Sequence, residues 1–394
     1  MILEPQISLP FAIDLRRHFH EHPELSGQEK QTRAKILEVL ESLNIPAMTF
    51  PHHYGVGAYI QGDRPGPVIA LRADMDALPI QEEVNAPYRS QTNGVMHACG
   101  HDGHMAILLS AAAWLAQHKH LLAGTIKLVF QPAEEAAPLG GARFFLDDAF
   151  LKDVTSIYGL HLWPELPCGQ IAIREGAFMA ASDRFRLTIH GKSAHAALPH
   201  QGVDAISLSA SVLQSFSTII SRRMDPMETA TISIGTIHGG DRYNVIAGQV
   251  VMEGTVRTLS HDVRESIPQQ MHELTKGIVQ GYHGSYELDY RRGYPALCNE
   301  PAATASVLQA ARQCLPAKDI LSTLPPSLGA EDFASYLQHI PGAFFWLGCS
   351  PSNGAVLHSP HFDIDENALA IGARIFCRLA LNSLASSAQK EVSA

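Results

Sequence analysis

The chain has 394 residues, of which 46% are hydrophobic and 17% charged, so it can bury a large core and is expected to divide into two domains. Its formal net charge of −10 disfavours nucleic acid and anionic membranes as partners and favours a small-molecule substrate. The chain start has no signal-peptide pattern, no apolar run is long enough to span a bilayer, and the cysteines lack paired spacing. We therefore expect a cytoplasmic protein with reduced thiols.

The first part of the chain alternates helices with short apolar strands. Hydrophobic periodicity predicts helices at 13–24, 28–43 and 105–117, and strands at 57–61, 67–72, 125–131 and 156–163. The pattern returns near the C-terminus, with helices at 301–314, 331–339 and 366–384 and a strand at 343–347. Strands separated by helices of this length require crossover connections, which predicts an α/β fold with a mainly parallel sheet.

The middle of the chain has a different pattern. It predicts strands at 183–190, 229–236, 249–259 and 286–292, and helices at 203–222 and 263–282. Two helices and about four strands indicate a smaller α+β domain with an antiparallel sheet. We therefore predict a discontinuous α/β domain formed by residues 1–182 and 295–394, with residues 183–294 inserted as an α+β domain.

The segment 96–104, MHACGHDGH, concentrates groups that bind metals. Cys99 and His101 are two positions apart, so both side chains can point at one ion in an extended or tightly turned backbone. A sulfur and a nitrogen ligand together suit zinc and other first-row metals. The alternative is a buried cysteine beside surface histidines at the start of a helix.

Further ionisable residues follow the predicted strands of the α/β domain. Ligands of open parallel sheets bind outside the carboxyl ends of the strands, so these residues are expected to share one crevice. The candidate metal ligands are Cys99, His101, Glu135, His161 and His358. Adjacent Glu134 and Glu135 would face opposite sides of an extended segment, so that one can bind metal while the other faces a substrate water. Solvated glutamates and a hydrogen-bonded core His161 are the simpler alternatives.

Several motifs together resemble the M20 metallopeptidases. They are RRHFHEHPE at 16–24, LRADMDALP at 71–79, the Cys99/His101 segment, QPAEE at 131–135 and GAEDF at 329–333. The resemblance is to the amidohydrolase branch, which includes hippurate hydrolases, N-acyl-amino-acid deacylases and auxin-conjugate hydrolases. It covers nearly the whole chain in the same order.

This resemblance implies a metallohydrolase domain with two divalent ions per subunit, interrupted by a smaller lid domain that forms a homodimer, with a tetramer also open. The family's ligands fall on the five residues named above, and its general base falls on Glu134. His195, in GKSAHA at 191–196, corresponds to a histidine that reaches the neighbouring subunit's active site. Asn244 and Arg257 fall where the family binds the substrate carboxylate.

One departure from the family pattern affects the metal site. Many members have a metal-binding histidine two residues before the position of Asp74, where this chain has Arg72. Asp74 is therefore expected to support the site without binding a metal. Zinc is the first choice of ion, and Mn²⁺, Ni²⁺ and Co²⁺ are alternatives because a thiolate ligand does not fix the metal.

The resemblance predicts hydrolysis of the amide bond in N-acyl amino acids with aliphatic or aromatic acyl groups, giving a carboxylic acid and a free amino acid. One alternative is a carboxypeptidase or dipeptidase that uses the same metal pair. Another is a catalytically inactive protein that binds metal or substrate. Glu134 argues against that reading, because binding two metals does not require a second, non-ligating carboxylate.

Overall fold

The computed structural model describes residues 4–351 and 353–385, so residues 1–3, 352 and 386–394 of the predicted α/β domain lie outside the described part. The chain divides into two compact units. The second unit comprises Ala177–Leu297 and Pro326–Glu331, and the rest of the described chain belongs to the first. The predicted insertion, 183–294, lies within the longer segment of the second unit.

The helices and strands follow the predicted alternation. The helices are α1 (Leu9–Glu21), α2 (Lys30–Ser42), α3 (His101–Gln117), α4 (Ala142–Asp147), α5 (Ala205–Thr218), α6 (His261–Gly281), α7 (Pro301–Arg312), α8 (Phe333–Leu337) and α9 (Asn367–Ser383). The strands are β1 (Ala47–Phe50), β2 (His53–Gln61), β3 (Arg64–Asp74), β4 (Ala123–Gln131), β5 (Ser156–Trp163), β6 (Ile171–Ala172), β7 (Gly176–Met179), β8 (Ala181–His190), β9 (Ala230–Gly239), β10 (Gln249–Thr258), β11 (Ser285–Arg291), β12 (Leu297–Asn299), β13 (Ile320–Leu321) and β14 (Gly342–Gly348).

The first unit is built on a sheet with the strand order β1-β2-β4-β3-β5-β14-β6-β13. The neighbours from β4 to β14 run parallel, whereas β1 and β2 extend the sheet in the antiparallel sense. The central strands are apolar along most of their length because helices cover the sheet, as expected for parallel strands. The predicted α/β class is therefore confirmed.

The helix α3 is central to the first unit, since it packs against α1, α9 and β3. It begins at His101, four residues earlier than predicted, because Gly103 is part of the helix and does not break it. A Cβ atom on Gly103 would lie 2.4 Å from Leu162 Cδ1, so glycine allows this close approach to β5 without displacing the Leu162 side chain. The first helical turn thereby brings His101 close to the end of β5.

The second unit has a four-stranded antiparallel sheet in the order β11-β8-β10-β9. Its core joins alternate residues of these strands, such as Phe185, Leu187 and Ile189 on β8, to the apolar faces of α5 and α6. The strict alternation along β8 is typical of a sheet with one covered face. This confirms the predicted α+β architecture of the middle segment.

Within residues 4–351 and 353–385, none of the helices combines the length and apolar character that crossing a bilayer requires.

Candidate metal centre and active site

The five side chains predicted as metal ligands come together in the first unit. Their sulfur, nitrogen and carboxylate oxygen atoms fall into two groups, and within each group the atoms lie within 4.8 Å of one another. One group is Cys99, His101 and His161, and the other is Cys99, Glu135 and His358. Because Cys99 belongs to both groups, its sulfur joins them into one cluster.

The side chains of the cluster lie close to one another. Cys99 Sγ lies 3.4 Å from His161 Nε2 and 3.3 Å from His358 Nε2. His358 Nε2 also lies 3.3 Å from Glu135 Oε1. Cys99 and His161 are buried, whereas the His358 side chain is 52% exposed. The cluster is therefore accessible to solvent in the first unit at His358.

Local backbone geometry explains how residues distant in sequence meet here. Gly100 has φ = 87°, a left-handed conformation that turns the chain between Cys99 and the start of α3. The backbone N–H of His358 donates a hydrogen bond to Ala98 O at 2.8 Å, which fastens the His358 loop beside the cysteine. His161 enters from β5, which is hydrogen bonded to β14.

Hydrogen bonds fix which ring nitrogen of each buried histidine is available to a metal. His161 Nδ1 donates to Leu162 O at 2.7 Å, and His101 Nδ1 donates to Asp76 O at 2.8 Å. Both rings therefore present Nε2 to the cluster. His101 Nε2 is buried without a hydrogen-bond partner among the described residues. Burial lowers the pKa of His161 well below its usual range, so this ring is neutral and able to bind a cation.

His104 is a third histidine of the same segment, but both of its ring nitrogens are engaged. Its Nδ1 donates to Asp74 Oδ1 at 2.6 Å, and its Nε2 accepts from the Leu162 N–H at 2.9 Å. Asp74 also accepts from Arg72 at 2.6 Å, and its Oδ2 lies 3.7 Å from His101 Nε2. Burial raises the pKa of Asp74, but Arg72, His101 and His104 lower it well below its usual range. Asp74 is thus a buried carboxylate that contacts the cluster residues.

The loop after β4 places Glu134 and Glu135 differently from the sequence-based expectation. The two residues lie in a turn, not in an extended segment, because Ala133 has φ = 58°. Their backbone N–H groups both donate to the Asp76 carboxylate at 3.0 Å. Carboxylate oxygens of both lie within 4.8 Å of a ring nitrogen of His101. The expected extended segment was therefore wrong, since Ala133 is left-handed, and both carboxylates approach His101.

The Glu134 side chain is buried and has a backbone partner. Its Oε1 accepts a hydrogen bond from the Asp332 N–H at 3.3 Å. Asp332 is itself fixed, since its carboxylate accepts from Arg72, from the Gln131 side chain and from the backbone of Gly141 at 3.0, 2.8 and 2.8 Å. Gln131, at the end of β4, and Gly141, beyond the loop, thus both bind the Asp332 carboxylate.

Sequence reasoning missed a buried ionic network behind the cluster. Arg16 Nε donates to Asp102 Oδ2 at 2.8 Å, and His20 Nδ1 donates to the same oxygen at 2.7 Å. Arg16 also donates to Asp363 at 2.7 Å, which connects α1 to the segments that carry His101 and His358. Arg16 and His20 of α1 are both buried. The sequence feature that could have indicated this network is Asp102, which directly follows the predicted ligand His101.

The other predicted site residues lie in the second unit. His195 is exposed, and its Nδ1 accepts a hydrogen bond from the Ala197 N–H at 3.0 Å, so the neutral ring carries its proton on Nε2. The Ala196 N–H donates to Asn244 O at 3.1 Å, which places the segments of His195 and Asn244 side by side. Asn244 Oδ1 is buried without a partner among the described residues. Arg257 is half-buried on β10, where burial lowers its pKa.

The residues of the cluster fit a pair of divalent cations. Thiolate, imidazole and carboxylate are ligands that zinc and related ions accept. Burial raises the pKa of Cys99 well above its usual range, and the charges of Glu135 and Glu134 raise it further. Among the described residues, the buried Nε2 of His101 has no hydrogen-bond partner, which is what a ring nitrogen reserved for a metal would show.

Comparison with known proteins identifies the family. The model of peptidase family M20/M25/M40 matches residues 70–382. The N-acetyl-L-cysteine deacetylase of Bacillus subtilis is 41% identical over 97% of this chain and 90% of its own length. The chain belongs to peptidase family M20/M25/M40. This M20 protein is also 37% identical to thermostable carboxypeptidase 2 of Saccharolobus solfataricus, over 94% of each chain.

A solved structure agrees with this placement in the M20 family. A Bacillus subtilis protein described as a dinuclear metal-binding M20 peptidase has a TM-score of 0.84 and 38% identity, over 95% of this chain and 98% of that one. Together with the ligand cluster, the family relationship makes this M20 protein a metal-dependent hydrolase of amide bonds.

Proposed function

We propose that this protein hydrolyses the amide bond of N-acyl amino acids with two divalent metal ions, zinc being the first choice. The observation that carries the proposal is the meeting of Cys99, His101, Glu135, His161 and His358 in one cluster, with Glu134 beside it. Each of the two groups of ligand atoms supplies a set for one ion, and Cys99 is common to both.

The chain's own residues supply the proton transfers. When bound, two such ions lower the pKa of a water molecule and polarise the scissile carbonyl. Glu134 accepts the proton of the attacking water at its carboxylate and returns it to the leaving nitrogen, because an amine anion is a very poor leaving group. The Asp332 N–H, which donates to Glu134 Oε1, holds the carboxylate in place during both transfers.

Substrate recognition is assigned to the second unit. Arg257 can hold the α-carboxylate of the amino acid with two parallel hydrogen bonds, and Asn244 adds an amide group beside His195. His195, acting on the active site of the neighbouring subunit, donates its Nε2–H to the oxyanion of the tetrahedral intermediate. Its exposed position and the tautomer fixed by the Ala197 N–H support this role.

A homodimer formed through the second unit follows from this assignment, and a tetramer built from such dimers is an alternative. The edge strand β9 presents backbone groups that can pair with another chain. Ile206 and Leu213 of α5 and Ile237 of β9 are between 43% and 51% exposed, which is high for large apolar side chains. Burial of these residues against a second copy would remove apolar surface from water.

A peptidase acting on true peptides is the second candidate, favoured by the similarity to the archaeal carboxypeptidase. Both reactions break an amide bond beside a free carboxylate, so the pocket for the acyl group separates them. The test is a comparison of kcat/KM for N-acetyl and N-benzoyl amino acids, including hippurate, with kcat/KM for dipeptides. Higher values for the N-acyl compounds support the proposal, whereas a preference for dipeptides with free amino groups contradicts it.

Arg257→Ala is expected to raise KM for N-acyl amino acids by roughly 10- to 100-fold with little change in kcat, because charge-assisted hydrogen bonds to the carboxylate are lost outside the reacting centre. Steady-state kinetics with an N-acetyl amino acid measure this. Arg184→Ala, which removes an exposed arginine from the neighbouring strand β8, is the control and should leave KM unchanged. An unchanged KM in Arg257→Ala would place carboxylate recognition elsewhere.

His195→Ala is expected to lower kcat by roughly 10²- to 10³-fold, the scale for one oxyanion donor, while metal content and dimerisation stay as in the wild type. His200→Ala, five positions away and also exposed, is the control and should retain kcat. A kcat that changes less than roughly threefold in His195→Ala contradicts the assignment.

A mixing experiment tests whether His195 acts across subunits. Inactive His195→Ala protein is combined with inactive Glu134→Ala protein, and subunit exchange is followed with two different affinity tags. A mixed dimer contains one site with an intact base and an intact donor from its partner, so activity should return. Confirmed exchange without recovery of activity rules out action across the interface.

A further inference from the structure

The segment between α1 and α2 carries a buried carboxylate that the proposed mechanism does not use. Glu29 is 0% exposed. Its Oε1 accepts hydrogen bonds from the N–H groups of Gly27 and Ala133, both at 2.9 Å, and its Oε2 is buried without a hydrogen-bond partner among the described residues. Burying a carboxyl group with one oxygen unpaired lowers the stability of the fold. We therefore expect the buried Glu29 to have a role beyond stability.

Glu29 binds Ala133, which has a strained backbone conformation in the loop after β4. Ala133 has φ = 58°, a left-handed conformation that disfavours residues with a Cβ atom. Such a conformation persists only when surrounding contacts enforce it. Glu29 supplies one of these contacts from a point 104 positions earlier in the chain.

The left-handed turn at Ala133 determines where the next two residues point. The N–H groups of Glu134 and Glu135 reach Asp76 Oδ1 and Oδ2, each at 3.0 Å. Three successive backbone N–H groups, from Ala133 to Glu135, are therefore each held by a carboxylate oxygen. Asp76 receives the second and third, and Glu29 receives the first, at the point where the chain turns.

We propose that Glu29 is a positioning residue, which holds Ala133 in the left-handed conformation and thereby orients the carboxylate of Glu134. The inference rests on the proposed role of Glu134 as the general base. This role requires an oxygen at the position of Glu29 Oε1 that accepts the Ala133 N–H, and it does not require a negative charge. Burial raises the pKa of Glu29 to about 7, and glutamine keeps an oxygen acceptor of the same length.

The test compares Glu29→Ala, Glu29→Gln and Glu24→Ala. Glu24 is the matched control because its Oε2 accepts hydrogen bonds from Thr32 N and Oγ1 at 2.8 and 2.9 Å, so it also binds α2. Among the described residues, its side chain makes no hydrogen bond to the loop. In Glu29→Ala we expect kcat, expressed per bound metal, to fall at least roughly tenfold with KM unchanged, since a small displacement of a base has a large effect on rate. Glu29→Gln should restore kcat to within roughly threefold of the wild type, and Glu24→Ala should keep it.

Hydrogen–deuterium exchange of the peptide covering 131–136 provides a readout that does not depend on activity. Exchange should be faster in Glu29→Ala than in Glu24→Ala and near the wild-type rate in Glu29→Gln. If the protein cleaves no N-acyl amino acid, the proposed function fails, but the exchange data still show whether Glu29 holds the loop. If Glu29→Ala does not fold, Glu29→Asp, whose shorter side chain withdraws the acceptor, replaces it with the same expectation.

Two results overturn the inference. One is an exchange rate in 131–136 that is the same for Glu29→Ala and Glu24→Ala. The other is a loss of kcat in Glu29→Gln as large as in Glu29→Ala, which would mean that the negative charge and not the acceptor matters.

Discussion

Replacing Glu134 with glutamine is expected to lower kcat by roughly 10²- to 10⁴-fold, the range for loss of general acid–base catalysis, while the protein keeps its metal. The reason is that the amide has the shape of the carboxylate but cannot accept the proton of the attacking water. Steady-state rates with an N-acetyl amino acid and metal-to-protein ratios from elemental analysis measure the two quantities on the same sample.

The neighbouring Glu135→Gln variant is the matched control for this experiment. Both glutamates have oxygens within 4.8 Å of a ring nitrogen of His101, so geometry alone does not separate the base from the ligand. Glu135 belongs with Cys99 and His358 in one ligand group, and its replacement should lower metal occupancy as well as rate. Loss of metal from Glu134→Gln and retention in Glu135→Gln would show that the two roles are reversed.

Cys99→Ala is expected to lose most of its bound metal and, with it, catalysis. The thiolate is shared by both ligand groups, so its removal leaves each with one ligand fewer, whereas loss of His161 or His358 affects one group only. Metal content per subunit and kcat are the measurements. The control is Cys298→Ala, which removes an exposed thiol and should retain both. Full metal content and activity in Cys99→Ala would invalidate the ligand set.

Much of the fold could be predicted because local patterns and tertiary structure agree. The apolar runs of β3, β4 and β5 are covered by helices on a parallel sheet, and the alternation along β8 matches a sheet with one covered face. The start of α3 could not be predicted, because a glycine at 103 indicates a loop locally, and its role depends on contact with Leu162 from another strand.

The candidate site could likewise be predicted only in part from the sequence. Cys99, His101, Glu135, His161 and His358 follow strands or belong to a motif, and both signals are local in sequence. The groups that hold the site in place are not local: Glu29 meets Ala133 and Arg16 meets Asp102 only in the folded chain. The backbone conformation at Glu134 and Glu135 was mispredicted because nothing in an alanine side chain indicates the left-handed conformation that Ala133 adopts.

The central claim, that two metal ions at this cluster hydrolyse N-acyl amino acids, is tested most directly by titrating metal back into chelated protein while following release of the free amino acid. The metal-free protein should be inactive, and zinc should restore hydrolysis until about two ions per subunit are bound, the number expected for a two-metal hydrolytic site. Hydrolysis that persists in protein shown to contain no metal, or its absence at every metal ratio for all N-acyl amino acids tested, would contradict the account.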